Sequence, residues 1–261
     1  MLMFSDLWEQ FTYHCRVKRR SSNTLAYYGT TAKAFTAFLE QHELGSLEVL
    51  TVQHLRAYMQ ELEVKGLGPG GLHAHVRALK AIFNWAYREE LIERNPSLKL
   101  ERPNLPKLRL PAVTPLMLLS VMRAAKSSEQ PFRDTALLIT LFDTGIRVSE
   151  FTALRLEDLR FERGLIRVQG KGDRERFVPL GSTAMTEITR YQRRERTPSQ
   201  QHEQRVFLGR YGEPITRSGV ATRLTNLGKT VNLTRDQIAP HAFRRGFAVQ
   251  FLRNGGDVFT L

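Results

Sequence analysis

Apolar residues recur at spacings of three and four through the first hundred positions, the signature of amphipathic helices. One such run carries Leu25, Tyr28, Phe35, Phe38 and Leu39, with Ser22 or Asn23 able to cap its start. A second carries Leu55, Tyr58, Met59 and Leu62 behind a capping Thr51 and stops at Gly66. A third begins after Gly70-Gly71 and carries Leu72, Val76, Leu79, Ile82 and Phe83 over residues 72–92. Short turns between these runs predict a four-helix unit.

The stretch Asn95–Pro115 breaks that rhythm with five prolines. Proline removes backbone donors and pushes its predecessor to extended geometry, so this is read as a basic linker. The expected division is a helical unit at 1–97, a linker at 98–112 and a second unit at 113–261. In the second unit Thr114-Pro115 marks a helix start, and helices are expected at 116–125, 131–143, 147–154, 181–195, 217–229 and 241–253. Residues 165–180, LIRVQGKGDRERFVPL, alternate in two short runs around a Gly-Lys-Gly-Asp turn, a β-hairpin signal. A short extended stretch is expected at 205–208. The helix at 241–253 shows apolar Phe243, Phe247, Val249 and Leu252, and Asp257 could cap one further turn, Val258–Leu261. The fold class is mainly α with a small β-hairpin sheet.

Charge narrows the partner. The formal net charge is +13 over 261 residues, which favours a polyanion, most often nucleic acid. Hydrophobic residues at 41% are enough for a packed core. The single cysteine, Cys15, excludes an internal disulfide and a cysteine-based metal site and fits a reducing cytoplasm. Neither a membrane-spanning run nor a signal peptide is found, so no membrane partner is expected.

Four stretches carry candidate chemistry. In DTGIRVSE, Gly145 breaks one helix and Arg147 enters the first turn of the next, where a cation and helix-end donors suit a phosphate. In GKGDRERFVPL, Lys171 stands between two glycines at a hairpin tip. In HAFRR, His241 and Arg244 share one face of a helix start after Pro240. Basic residues also decorate the first unit and the linker: Lys18, Arg19 and Arg20 in RVKRR, Arg77 and Lys80 on one helix face, then Lys107 and Arg109. Each stretch alone reads equally as a solvated charge, a turn lysine or a helix cap.

Taken in this order, the stretches resemble the tyrosine recombinase, or phage integrase, family, particularly its Xer-like branch. TGIRVSE looks like the family's first arginine motif, GKGDRERFVPL like its hairpin lysine motif, and HAFRRGFAVQFLRNGG like its His-x-x-Arg motif. The resemblance implies a two-domain clamp, a core-binding helical domain followed by a mixed α/β catalytic domain. It implies site-specific cleavage and exchange of double-stranded DNA, with no cofactor and no metal, and self-association or pairing with another recombinase in a tetrameric synapse. By position, Arg147 and Arg244 would grip the scissile phosphate and Lys171 would protonate the leaving oxygen. His241 would hydrogen-bond the phosphate or assist proton transfer, and Glu150 would buttress the arginine helix. Arg245 stands where the family often has a second histidine, and Arg174 where a second lysine is frequent.

The family continues with Leu-Gly-His and the nucleophilic tyrosine, and this sequence stops before both. Of the tyrosines that follow Arg147, Tyr191 falls in a polar helix and Tyr211 in a turn, and neither is expected to attack. The chain is therefore expected to be truncated, holding the phosphate cradle without the nucleophile and inactive alone. Two other readings stand beside recombination: a noncatalytic regulator or competitor on DNA, and a basic protein that binds RNA or another polyanion without site preference.

Overall fold

Phe4, Leu7, Phe11 and Cys15 lie at helical spacing, and all four are buried along one face of α1 (Phe4–Val17). The backbone N–H of Met3 donates to the Asp6 carboxylate at 3.1 Å, which ties down the helix start. The next helix, α2 (Ser22–Gln41), is capped neither by Ser22 nor by Asn23. The cap is Ser21, whose Oγ accepts the Thr24 N–H at 3.3 Å, one residue earlier than the apolar pattern predicts. Thr51 precedes α3 (Val52–Val64), and its own N–H donates to His54 Nδ1 at 3.2 Å. The last helix of this group, α4 (Pro69–Arg88), starts at Pro69 rather than after Gly71 and ends at Arg88 rather than at 92. Proline at the first helical position loses no needed donor, so the helix takes in both glycines.

The structure is a computed structural model that describes residues 2–105, 110–170 and 174–258. It divides into two units, Met1–Leu108 and Arg109–Leu261. The first unit's core centres on Phe35, which meets Phe4 edge-on at 4.8 Å and Tyr58 at 5.0 Å. Each such side chain contributes about 1.5–3 kcal/mol when fully buried. Leu100 joins this core from the start of the Pro-rich stretch.

In the second unit Thr114 Oγ1 accepts the Met117 N–H at 3.2 Å and starts α5 (Pro115–Lys126). The central element is α6 (Pro131–Thr144), buried nearly all round. Its first N–H groups, from Phe132 and Arg133, donate to the Glu195 carboxylate at 3.1 and 2.8 Å. A carboxylate at a helix N-terminus answers both the unpaired donors and the dipole. Short α7 (Val148–Ala153) follows.

The sheet has three antiparallel strands in the order β1 (Leu159–Arg160), β2 (Leu165–Gln169) and β3 (Glu175–Pro179). The register pairs Ile166 with Val178 and Val168 with Arg176. The hairpin follows the alternation, while two-residue β1 is too short to produce a period. Four helices complete the unit: α8 (Ser182–Arg194), α9 (Arg217–Lys229), α10 (Arg235–Ile238) and α11 (Pro240–Arg253). The 205–208 stretch makes only isolated bridges, Arg155 to Arg205 and Leu208 to Pro214.

Tyr191 lies on the buried face of polar α8, in the core of the unit, stacked on Phe207 at 5.7 Å. Helix α11 buries Phe243 but leaves Val249 and Leu252 exposed. Close approach explains the buried half. A Cβ on Gly246 would stand 2.3 Å from the Val113 carbonyl oxygen, and the Val113 N–H donates to Ala242 at 3.0 Å. The turn expected at Val258–Leu261 lies largely outside the described residues. No helix among the described residues is long and apolar enough to cross a membrane.

Candidate functional site

Gly145 ends α6 in the left-handed conformation, with φ of 57°. A side chain is excluded there twice over: the backbone favours glycine, and a Cβ would stand 2.3 Å from the Phe247 ring. Buried Ile146 anchors the turn, and the chain re-enters helix at Val148. Arg147 is the N-cap of α7, not a member of its first turn. Its backbone N–H is not free for a ligand. It donates to Glu150 Oε2 at 2.8 Å, while Arg147 Nη1 donates to Oε1 at 3.1 Å. Glu150 is 4% exposed, whereas the Arg147 side chain is 54% exposed. One end of this pair is thus a buried carboxylate, and the other is an arginine presented at the surface.

A third group completes this arrangement. Arg176 on β3 approaches the same carboxylate with both terminal nitrogens, Nη1 to Oε1 and Nη2 to Oε2, each at 2.9 Å. Burial alone would push the Glu150 carboxyl up. The Arg176 fork, the Arg147 N–H and the Arg147 guanidinium outweigh it and hold the carboxyl at about 2. The hairpin motif singles out Lys171 and not Arg176. A signal was present, because β-strand alternation puts Arg176 on the inward face with Val178. A charge on an inward face requires a partner.

Arg244 arrives from the second turn of α11. Its Nη1 donates to the Gly145 carbonyl oxygen at 2.6 Å. Burial lowers its pKa, and so does the charge of nearby Arg147, while Glu150 opposes them. Two guanidinium groups therefore pair with one carboxylate, a third lies within reach of its charge, and the cluster keeps a net positive charge. His241 lies one turn earlier on α11, exposed and without a hydrogen bond among the described residues. Arg245 points elsewhere, donating from Nε to the Pro111 carbonyl at 2.7 Å.

Arg147, Glu150 and Arg244 are brought together, with His241 on the same helix start as Arg244. Lys171 lies outside the described residues, as do Lys107 and Arg109. In the first unit Lys18, Arg19 and Arg20 are exposed just past the end of α1. Arg77 is exposed on α4, and Lys80 is half-buried with Nζ 3.4 Å from the Leu98 carbonyl. No group of acidic, histidine or cysteine side chains fit to hold a metal ion occurs among the described residues.

The chain belongs to the phage integrase family of tyrosine recombinases. Residues 113–261 match the phage integrase family itself, and residues 3–101 match the phage integrase SAM-like domain. It is 30% identical over 256 residues to tyrosine recombinase XerD of Halalkalibacterium halodurans, covering 96% of this chain and 85% of that protein. To the XerD of Listeria monocytogenes it is 29% identical over 261 residues, covering 97% and 87%. The fold is similar to that of the Tn1549 transposon integrase in complex with circular intermediate DNA, with a TM-score of 0.78, 20% identity, and 100% and 90% of the two chains covered. It is also similar to a lambda integrase dimer bound to a COC′ core site, with a TM-score of 0.81, 18% identity, and 99% and 93% covered.

Proposed function

We propose that this chain binds duplex DNA and holds one backbone phosphate between Arg147 and Arg244 for tyrosine-mediated strand cleavage and exchange. The observation that carries the reading is the convergence of Arg147 and Arg244 at the Gly145 turn. A phosphodiester gains negative charge as it passes to the five-coordinate transition state. Guanidinium groups fixed in advance stabilise that added charge without reorganising. Arg147 and Arg244 take the nonbridging oxygens, Glu150 orients Arg147, and His241 hydrogen-bonds the phosphate or relays a proton. Lys171 acts as general acid on the leaving oxygen, a role that rests on its place in the sequence motif.

The first unit adds sequence-independent grip through Lys18, Arg19, Arg20, Arg77 and Lys80, and the linker through Lys107 and Arg109. The related lambda integrase has been seen as a tetramer bound to a Holliday junction, which supports self-association of this chain on DNA. A second reading, noncatalytic binding, is favoured by one observation. The Tyr191 hydroxyl is already used inside the core, where it accepts the Leu208 N–H at 3.1 Å. In both readings the 261 residues bind DNA, and they differ in whether a tyrosine reaches the phosphate.

Fluorescence anisotropy of a labelled duplex tests the shared part. Affinity should fall linearly with salt on logarithmic axes, with a slope of about −0.9 per phosphate neutralised. Arg77→Ala should make that slope shallower by about one contact. No affinity for duplex DNA at low salt would overturn the reading.

A further inference from the structure

The Glu150 carboxylate accepts four hydrogen bonds, two at each oxygen. Oε1 takes Arg147 Nη1 and Arg176 Nη1, and Oε2 takes the Arg147 backbone N–H and Arg176 Nη2. An ionised carboxylate offers about four acceptor positions, so this one is saturated. We propose that Arg176 is a positioning residue: its fork fixes the Glu150 carboxylate, and Glu150 in turn aims Arg147 at the phosphate. This rests on the phosphate-cradle reading above and deepens it.

Arg176 is placed to hold the carboxylate. Both of its terminal nitrogens donate to Glu150, whereas Arg147 commits only Nη1 of its guanidinium there. The bidentate pair fixes direction as well as distance, which a single contact cannot do. Arg176 also comes from a different element: β3 carries it, and α7 carries Glu150. The strand therefore reaches across to the arginine helix through one ion pair, and the rigid sheet sets where Arg147 begins. Without Arg176, a carboxyl that is 4% exposed would keep only its two bonds to Arg147. A buried carboxylate half-satisfied in this way tilts or takes up a proton, and either change releases Arg147.

The test uses the 261-residue protein with inorganic phosphate as the probe, read by the side-chain Nε–Hε resonances of its arginines. In the wild type, Arg147 and Arg244 should respond to phosphate together. Arg176→Gln should shift the Arg147 resonance in the free protein and weaken phosphate binding about tenfold, the effect of losing charge-assisted hydrogen bonds. Arg176→Lys should show the same changes to a smaller extent, because a point charge cannot bridge both oxygens. In a Glu150→Gln background, Arg176→Gln should add nothing, since the two residues act in series. Unchanged phosphate affinity in Arg176→Gln with a native amide spectrum would overturn the proposal. An equal loss in the Glu150→Gln background would also overturn it, by making Arg176 a direct phosphate ligand. If Arg176→Gln fails to fold, Arg176→Lys decides: an unmoved Arg147 resonance and unmoved affinity refute positioning. No phosphate response in the wild type would overturn the cradle reading, and this proposal with it.

Discussion

Arg244 Nη1 lies 2.6 Å from the carbonyl oxygen of Gly145, so the turn that ends α6 is also the seat of an arginine 99 residues later. The carbonyl faces Arg244 because Gly145 is left-handed, and that conformation is open because nothing projects toward Phe247. The chain path and the seat of Arg244 therefore share one glycine.

Gly145→Ala should separate these elements. An added Cβ meets the Phe247 ring at 2.3 Å and carries the ordinary penalty of a positive φ. Together these should cost roughly 2 kcal/mol or more. Differential scanning calorimetry should show a lower midpoint for the second unit, and duplex affinity at the permissive temperature should also fall. An unchanged midpoint would mean that α11 can retreat without loss.

Asp134 is fully buried at the start of α6 and serves three partners. Arg133 donates to Oδ1 from Nε and Nη2 at 3.1 and 2.9 Å, Ser128 Oγ donates to Oδ2 at 2.6 Å, and Arg223 of α9 forks onto Oδ2. Asp134→Ala leaves the largely buried Arg133 without its counter-charge. Breaking a buried pair from one side costs about 3–5 kcal/mol. Urea denaturation should show the second unit unfolding at lower denaturant, with the first unit's transition unmoved. A change of less than about 1 kcal/mol, the scale of an exposed pair, would contradict this.

Much of this architecture was legible because helices announce themselves by period. Runs such as Leu72, Val76, Leu79 and Ile82 return every three or four residues and admit one reading. Elements shorter than a period carry no such signal, which is why β1 at two residues and α10 at four went unread. Caps were misplaced by one residue where serine stood beside serine, at Ser21 and Ser22. The site divided in the same way. Arg147 and Arg244 stand in motifs, but the Arg176–Glu150 pair joins residues 26 apart on a strand and a helix. Only the folded register brings them together. The burial of Tyr191 was not legible, because arginines surround it in sequence while its own face of α8 points inward.

Glu150 should leave a mark on acid stability. Its carboxyl is held at about 2 in the folded chain against an ordinary 4.5. Between those values the unfolded chain binds the extra proton, so stability falls as the pH falls. The contribution is complete above about pH 4.5, is lost as the pH drops through 2, and amounts to roughly 3 kcal/mol. Because other carboxylates titrate in the same window, the measurement is a difference. The stability gap between wild type and Glu150→Gln should narrow as the pH is lowered from 5 to 2. A gap that stays constant over that range would show that the ion pair does not hold the carboxyl down.

Neither tyrosine that follows Arg147 in these 261 residues, Tyr191 or Tyr211, should form a covalent bond to DNA. Attack on phosphorus needs a hydroxyl held in line, and that placement is worth about 7–11 kcal/mol in well-oriented cases. Tyr191 is 1% exposed, its oxygen accepts the Leu208 N–H, and burial pushes its pKa up, which disfavours the phenolate. Tyr211 is 79% exposed in the turn between Gly209 and Gly212, with the Arg210 guanidinium 5.9 Å from its ring centre. Neither stands in the Arg147–Arg244 cluster. A labelled nicked duplex, incubated with the protein and resolved on a denaturing gel, should give no protein–DNA band. Tyr191→Phe should leave that result unchanged while destabilising the second unit by about 1–3 kcal/mol, because the Leu208 N–H loses its buried acceptor. A band that disappears in Tyr211→Phe would make the exposed tyrosine a nucleophile and overturn this assignment. A band that forms only when an intact recombinase is added, and maps to that protein's tyrosine, would instead make this cradle a site completed in trans.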